Sequence, residues 1–220
     1  MGDFGDVNGQ RIITARLGIP RRGLWTADVK LVGGSSASTV AGAALLTLGD
    51  VSLVGTVKRQ DTYGGALYAR MVGGFGGWGK TVSPRYYAAG VTLTMVAADA
   101  ASDCGEFVLV DSSVSQSIGP AYTRPALQGS AILSQLVPLW WVNALGLTNL
   151  GPRTAASVSA ALQVLEYDGA RGRLLVSCDS LSQLTPGAAL SSPLLASPVT
   201  ISYVEHEMAE SGIVRSEVLI

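Results

Sequence analysis

Charged side chains are scarce in this sequence. Of its 220 residues only 14% are Asp, Glu, Lys or Arg, against roughly 25% in an average soluble domain, and the formal net charge is −1. Without a broad basic field, the chain is not expected to recognise nucleic acid through its phosphates. Because the cores of protein interfaces are depleted of charge, such a surface indicates contact with other subunits, and we expect a homo-oligomer.

Cysteine, histidine and long apolar runs are also rare or missing. No stretch of about 18 apolar residues occurs, so no membrane span is predicted, and the acidic start MGDFGDVNGQ does not resemble a secretory signal. Cys104 and Cys178 are too few for a disulfide framework and lack metal-ligand spacing, which favours two buried free thiols. No cofactor or metal site is therefore predicted.

Glycine, by contrast, is abundant. The chain has 27 glycines among many Val, Leu, Ser and Thr residues, a composition typical of strands joined by tight turns. Alternation of apolar and polar residues predicts strands or hairpins at residues 12–32, 39–47, 51–58, 66–72, 162–178 and 199–220. These spacings are typical of a small barrel or sandwich.

Two segments carry helical periodicity. The sequence VTLTMVAADAASDCGE, residues 91–106, has an apolar stripe, with Thr92 or Thr94 able to cap its start and Gly105 able to end it. A short second helix is predicted over residues 130–137, where Pro138 should stop it.

The predicted fold class is mainly β (α+β), with small β-barrel or sandwich domains and a minor helical α/β part. We expect an N-terminal β-barrel-like domain at residues 1–89 and an α/β part with two short helices at 90–150. C-terminal β-hairpins that complete a barrel follow at 151–220.

Residues 74–81 read GFGGWGKT and match the phosphate-binding pattern G-x-x-x-x-G-K-[ST]. In a nucleotide hydrolase Lys80 and Thr81 would contact phosphates, and Asp111, which closes the apolar run FVLVD, would hold magnesium. That site needs a helix beginning at the lysine, but Pro84 and Gly90 oppose one, and the strand–helix alternation of such folds is missing. We interpret the glycines as a bulged turn of closely approaching backbones, covered by Trp78.

Other candidate catalytic groups also have a structural interpretation. His206 is the only histidine, and no G-x-S-x-G serine accompanies it, so a half-buried histidine hydrogen-bonded to backbone is favoured over a hydrolase triad. Glu205 and Glu207 lie on one strand face and suit a glycosidase carboxylate pair, but a cross-strand ion pair of either with Arg215 is favoured.

Two further groups suggest contacts with other molecules. Asp99, Asp103 and Glu106 make an acidic end to the first helix, where negative charge is unfavourable, so a partner's cation is one interpretation and a solvated face the other. The pair Trp140-Trp141 is expected in the core or in a subunit contact rather than as a ligand platform.

Three stretches in succession resemble a known family: VGTVKRQDTYGGALYARMVGGFGGWGKTVSPRYY, then VTLTMVAADAASDCGE, then LTPGAAL followed by VTISYVEHEMAESGIVRSEV. Together they are similar to tail hub proteins of bacteriophage baseplates, of the late-control protein D type. The resemblance covers roughly residues 45–220. It implies β-barrel domains around the tail axis and a trimeric ring that joins the tail tube and tape measure to spike or tip proteins.

The resemblance makes a structural virion protein of the phage tail tip or baseplate the leading hypothesis. It implies assembly in the host cytoplasm, a lumen through which the genome can pass, and no catalysis, so no catalytic, cofactor-binding or metal-binding residue is predicted. The alternative is a tail-associated bacterial cell-wall hydrolase with Glu205 or Glu207 as the acid, and the third hypothesis is the nucleotide hydrolase.

Overall fold

The structure, a computed structural model, describes residues 4–33, 42–88, 90–114, 116–153, 157–159 and 161–220. Strand makes up 48% and helix 13%, which confirms the mainly β class. The described strands, numbered in chain order, are β1 Gly5–Val7, β2 Gln10–Pro20, β3 Thr26–Leu31, β4 Gly42–Leu48, β5 Val51–Tyr63, β6 Ala66–Gly73, β7 Arg85–Tyr87, β8 Val108–Val110, β9 Tyr122–Arg124, β10 Trp140–Val142, β11 Thr148–Leu150, β12 Leu162–Asp168, β13 Arg173–Cys178, β14 Ala189–Leu190, β15 Val199–Thr200, β16 Tyr203–Met208 and β17 Val214–Leu219.

The first six strands form a closed antiparallel barrel in the order β1-β4-β5-β6-β3-β2. The barrel closes because the short β1 pairs with β4 on one side and with β2 on the other. Alternate side chains point inward, as the two-residue repeat of a strand requires. They fill the interior with fully buried apolar groups, among them Leu17, Leu31, Leu46, Leu48 and Met71.

One long strand joins the barrel to the rest of the sheet. The N-terminal end of β2 pairs with β1, whereas residues 15–20 of β2 pair with β16. The sheet then continues through β17 and β13 to β12, so the barrel strands and the C-terminal hairpins share one ten-stranded sheet. The division at residues 90 and 151 stays a prediction.

The hairpin of β5 and β6 is longer than predicted. Strand β5 runs to Tyr63 instead of ending at Lys58, because an irregularity in register between Val57 and Arg59 lets pairing continue. The turn is only Gly64 and Gly65, both with positive φ, as a two-residue hairpin turn requires. The predicted strand at 39–47 is found as β4, and residues 39–41 lie outside the described part of the chain.

The helical part lies between these strands in the sequence. Helix α1 (Leu93–Cys104) begins where the Thr92 hydroxyl accepts from the amide of Met95, and Gly105 ends it with φ of 72°, as predicted. Helix α2 (Gly129–Leu136) ends two residues before Pro138. The two helices pack with the three-stranded sheet β10-β11-β8 around a separate apolar core that includes Trp78 and Trp140.

A third apolar core lies beneath the C-terminal strands. It combines inward residues of β13, β16 and β17 with the segment around the two-stranded sheet of β14 and β15. Leu174, Val204 and Val218 are fully buried there. Among the described residues strand β12 pairs only with β13, so its other side is the open end of the ten-stranded sheet.

Candidate functional site

The glycine-rich segment 74–81 is a turn that lies against the C-terminus of helix α1. Gly74 and Gly76 have positive φ, and the amide of Lys80 closes the turn onto the carbonyl of Gly77 at 2.8 Å. A Cβ atom on Gly77 would lie 1.9 Å from the carbonyl oxygen of Cys104. The glycines are therefore needed for the close approach of two backbones, as the sequence predicted.

An anion does lie in this loop, but it belongs to the chain itself. The carboxylate of Glu106 accepts hydrogen bonds from the amides of Phe75 at 3.0 Å and Gly77 at 2.6 Å. Glu106 is buried, so these charge-assisted bonds compensate for the loss of water around its carboxylate. The backbone amides that would hold a phosphate in a nucleotide hydrolase are thus occupied by a side chain.

The contacts of Lys80 and Thr81 also differ from those of phosphate-binding residues in a nucleotide hydrolase. The Lys80 ammonium donates to the carbonyl of Cys104 at 3.0 Å, where a cation complements the helix dipole. Thr81 forms an isolated bridge with Gln128, and the chain then enters strand β7 rather than a helix. These positions contradict the nucleotide-hydrolase hypothesis, since the chain forms a strand and not a helix after Lys80, and the first amides of helix α2 donate to the carbonyls of Trp78 and Lys80 at 3.0 Å.

Asp111 is held locally by its near neighbour Ser113. Its carboxylate accepts from the amide of Ser113 at 2.8 Å and from the Ser113 hydroxyl at 2.6 Å, and these bonds lower the pKa of Asp111. Within the described residues, no cluster of three or more His, Cys, Asp or Glu side chains could hold a metal ion.

The acidic end of helix α1 finds its cations within the chain. Asp99 pairs with Arg85 at 2.9 Å, and Asp103 pairs with Arg124, a buried arginine that also donates to the carbonyl of Ser83 at 3.0 Å. The interpretation that a partner supplies the cation is therefore wrong. Sequence reasoning missed the two arginines because they are distant in sequence, and only the pairing of β7 with β9 brings them to the helix.

Of the two carboxylates of β16, Glu205 bonds to side chains of its own chain. Glu205 pairs with Arg16 on β2 at 2.7 Å and accepts from the Tyr203 hydroxyl at 3.1 Å. Arg215 lies directly opposite Glu207, as predicted, but among the described residues it forms no ion pair. The expected pairing with Arg215 is corrected to Arg16, because β2 and not only β17 borders this strand.

His206 is more deeply buried than predicted. Its side chain is fully buried and bonds through Nδ1 to the hydroxyl of Ser216 at 2.8 Å, not to backbone. The prediction of a half-buried histidine is wrong: β16 is flanked by both β17 and β2, and His206 lies beside the buried residues Ser216 and Leu17 of these strands. Burial lowers the pKa of His206 to about 4, so the imidazole is neutral in the folded protein near neutral pH.

The tryptophan pair divides between the interior and a surface. Trp140 is buried in the helical core, where its Nε1 donates to the Ser134 hydroxyl at 3.0 Å. Trp141, on the opposite side of β10, is half-buried, and the guanidinium of Arg153 stacks over its ring, 4.6 Å from the ring centre.

The two free thiols also differ in burial: Cys104 is buried, which raises its pKa, whereas Cys178 is half-buried.

A row of charged side chains crosses the outer face of the main sheet. Register places each residue of the row beside the next on six neighbouring strands, and all of them are exposed: Arg215, Glu207, Arg16, Asp28, Arg70 and Arg59. Signs alternate over the first five members, so neighbours attract across the strands. A face of this kind is suited to contact with water rather than to a dry interface.

Comparison with solved structures finds this fold in tail proteins. One is an Escherichia coli protein described as a type VI secretion system component with structural similarity to the T4 bacteriophage tail proteins gp27 and gp5. It has a TM-score of 0.68 and 11% identity, over 97% of this chain and 75% of that one. At this identity the similarity defines a shared fold.

Two further tail proteins share the fold over nearly their whole length. A tail protein of Neisseria meningitidis has a TM-score of 0.69 and 9% identity, covering 99% of this chain and 96% of that one. The 43 kDa tail protein of prophage MuSo2 from Shewanella oneidensis has a TM-score of 0.69 and 10% identity, covering 98% and 96%. No protein-family model matches the sequence, and no curated protein is similar to it.

Both helices of the described chain are short, and neither is long and apolar enough to cross a membrane. Three kinds of surface are candidates for contact with other molecules: the charged row, the open edges of β12 and β8, and exposed apolar side chains. Among the last, Phe75 and Phe107 meet edge to face at 5.5 Å, with Phe107 60% exposed.

Proposed function

We propose that this chain is a structural protein of a phage tail tip or baseplate. The observation that carries the proposal is the similarity to tail proteins over 97–99% of the chain, which includes both the barrel and the helical part. The late-control protein D type suggested by the sequence motifs is the narrower form of the same proposal. The protein would assemble in the host cytoplasm and remain in the virion.

We further propose that the protein forms the hub ring, with three copies around the tail axis. Two open strand edges support a repeated contact between copies, because an unpaired edge is a template for a neighbouring chain. Exposed apolar side chains such as Tyr63, Phe107 and Leu145 give further surface for neighbours to cover. The ring would join the tail tube and tape measure to spike or tip proteins.

In such a ring we assign the charged row to the central channel. Alternating charges stay hydrated and present no single-sign field, which suits a wall past which genomic DNA slides without specific recognition. The remaining surface would then face other subunits and tail components.

No catalytic role is part of the proposal. The candidate groups form hydrogen bonds or ion pairs within the chain. Glu106 bonds to the glycine turn, Glu205 to Arg16 and Tyr203, and His206 to Ser216.

Electron microscopy of the purified protein tests this function. The proposal predicts ring-shaped particles with an open centre, and mixing with tail tube protein should produce rings stacked on tube ends. Compact particles without a central opening, and no association with tube ends, would contradict it.

A further inference from the structure

A groove of about 300 Å³ crosses the outer face of the sheet β10-β11-β8. Its lining includes Trp141, Asn149 and Leu109, which are direct neighbours across the three strands. Leu109 is 47% exposed, and β8 is an edge strand with no partner on its outer side within the described chain. The groove is thus an open surface with apolar ends.

An arginine without an anionic partner lies beside this groove. The guanidinium of Arg153 stacks on Trp141, and among the described residues it makes no hydrogen bond or ion pair. Its Nη1 and the Nε1 of Trp141 are both buried donors without an acceptor. Burial lowers the pKa of Arg153 to about 10, because the guanidinium has lost contact with water and no anion compensates for that loss.

The acid that lines the groove, Asp111, does not supply that counter-charge to Arg153. Asp111 lines the same groove, but its carboxylate is turned to Ser113, and no ion pair joins it to Arg153. A carboxylate from outside the chain would give the guanidinium a counter-charge, with the strength of a charge-assisted hydrogen bond.

An acid without a partner within the described chain lies on another open edge, that of the ten-stranded sheet. Glu166, on the edge strand β12, is exposed and forms no hydrogen bond or ion pair within the described chain. The register of β12 with β13 shifts beside it, between Val164 and Glu166. Its neighbours Leu165 and Tyr167 are also exposed, at 45% and 41%, so β12 presents an extended edge with apolar and acidic groups.

We propose that Glu166 on β12 of one copy binds the Arg153–Trp141 pair of the next copy. This rests on the proposed ring and names the contact that would build it. The contact is heterologous, since it joins two different surfaces, and such a contact builds a ring when the rotation between successive copies closes and an open filament when it does not. Each copy then supplies one acidic edge and one cationic groove.

Charge reversal with rescue tests the contact. The variants are Arg153→Glu, Glu166→Arg and the double variant, each checked for wild-type folding by circular dichroism. The readout is the protein concentration at which half of the assembly dissociates, measured by light scattering after size exclusion. Each single variant should raise it at least about tenfold, and the double variant should return it to within about threefold of wild type.

The matched controls are Glu207→Arg and Arg215→Glu, which reverse exposed charges that form no ion pair in the described chain. They should change the dissociation concentration by less than about threefold. If Glu166→Arg assembles like the wild type, or if both single variants dissociate without rescue, the contact is wrong while the ring stands. A wild type that stays monomeric overturns the ring and this contact together.

Discussion

Gly77 and Gly79 lie two residues apart in the glycine turn and differ in what surrounds them. A Cβ atom on Gly77 would lie 1.9 Å from the Cys104 carbonyl oxygen, whereas one on Gly79 has no atom within 4 Å. Neither glycine has a positive φ, so a difference between their alanine variants reports the space available for a methyl group and not backbone strain.

We predict that Gly77→Ala lowers the free energy of unfolding by about 3 kcal/mol, because backbone must move to admit the methyl group. Gly79→Ala should change it by less than about 0.5 kcal/mol. Urea unfolding measures both values. Equal effects of the two substitutions would contradict the close approach of the turn to helix α1.

His206 makes stability depend on pH in a defined window. The pKa of the folded form is about 4, below the value of about 6.5 expected in the unfolded chain. The unfolded state therefore binds a proton first, so this stabilisation is complete above pH of about 6.5 and falls as the pH drops toward about 4. The total loss is about 3 kcal/mol, from about 1.4 kcal/mol per pKa unit.

The measurement is the free energy of unfolding from pH 4 to 8 for the wild type and for His206→Gln. The wild-type curve should fall more steeply between about pH 6.5 and 4, while the carboxylates contribute equally to both curves. Parallel curves would show that His206 is not buried as a neutral ring.

The glycine-rich motif illustrates how much of a site the local sequence predicts. The match at residues 74–81 was correctly interpreted as a structural turn, since Pro84 and Gly90 are visible in the sequence. Glu106 as the anion of that turn was not predicted, because it lies about 30 residues away and only the packing of helix α1 brings it there. Arg16 as the partner of Glu205 was missed for the same reason: the pairing of β2 with β16 spans most of the chain.

At the scale of elements, Glu106 ties the turn to the end of helix α1. Glu106→Gln keeps the shape but removes the charge that two backbone amides share, so we predict a loss of about 2 kcal/mol in the free energy of unfolding. The control is Asp111→Asn, whose exposed carboxylate bonds only to nearby Ser113 and should cost less than about 1 kcal/mol. Similar losses in the two variants would contradict a structural role for the buried carboxylate.

Elements with strong local patterns were predictable from the sequence. The stripe of α1 with Thr92 and Gly105 at its ends gave the helix within a residue, and the hairpin of β12 and β13 was placed by its turn residues. Closure of the barrel was not predictable in detail, because it depends on β1, only three residues long, pairing with strands on both sides. Strand neighbours are decided by tertiary packing that alternation alone does not encode.

At the scale of the whole molecule, the role proposed for this protein is structural: copies of it would assemble into a ring. The sparse charge and the open edges of β12 and β8 are consistent with the proposed ring, with the charged row left to water. A repeated heterologous contact explains how one chain with two unlike edges could build such a ring.

Native mass spectrometry of the purified protein tests the central claim most directly. The account predicts a dominant species of three chains, each of 22.6 kDa, that dissociates to monomer on dilution. A single 22.6 kDa species at every concentration measured would contradict it.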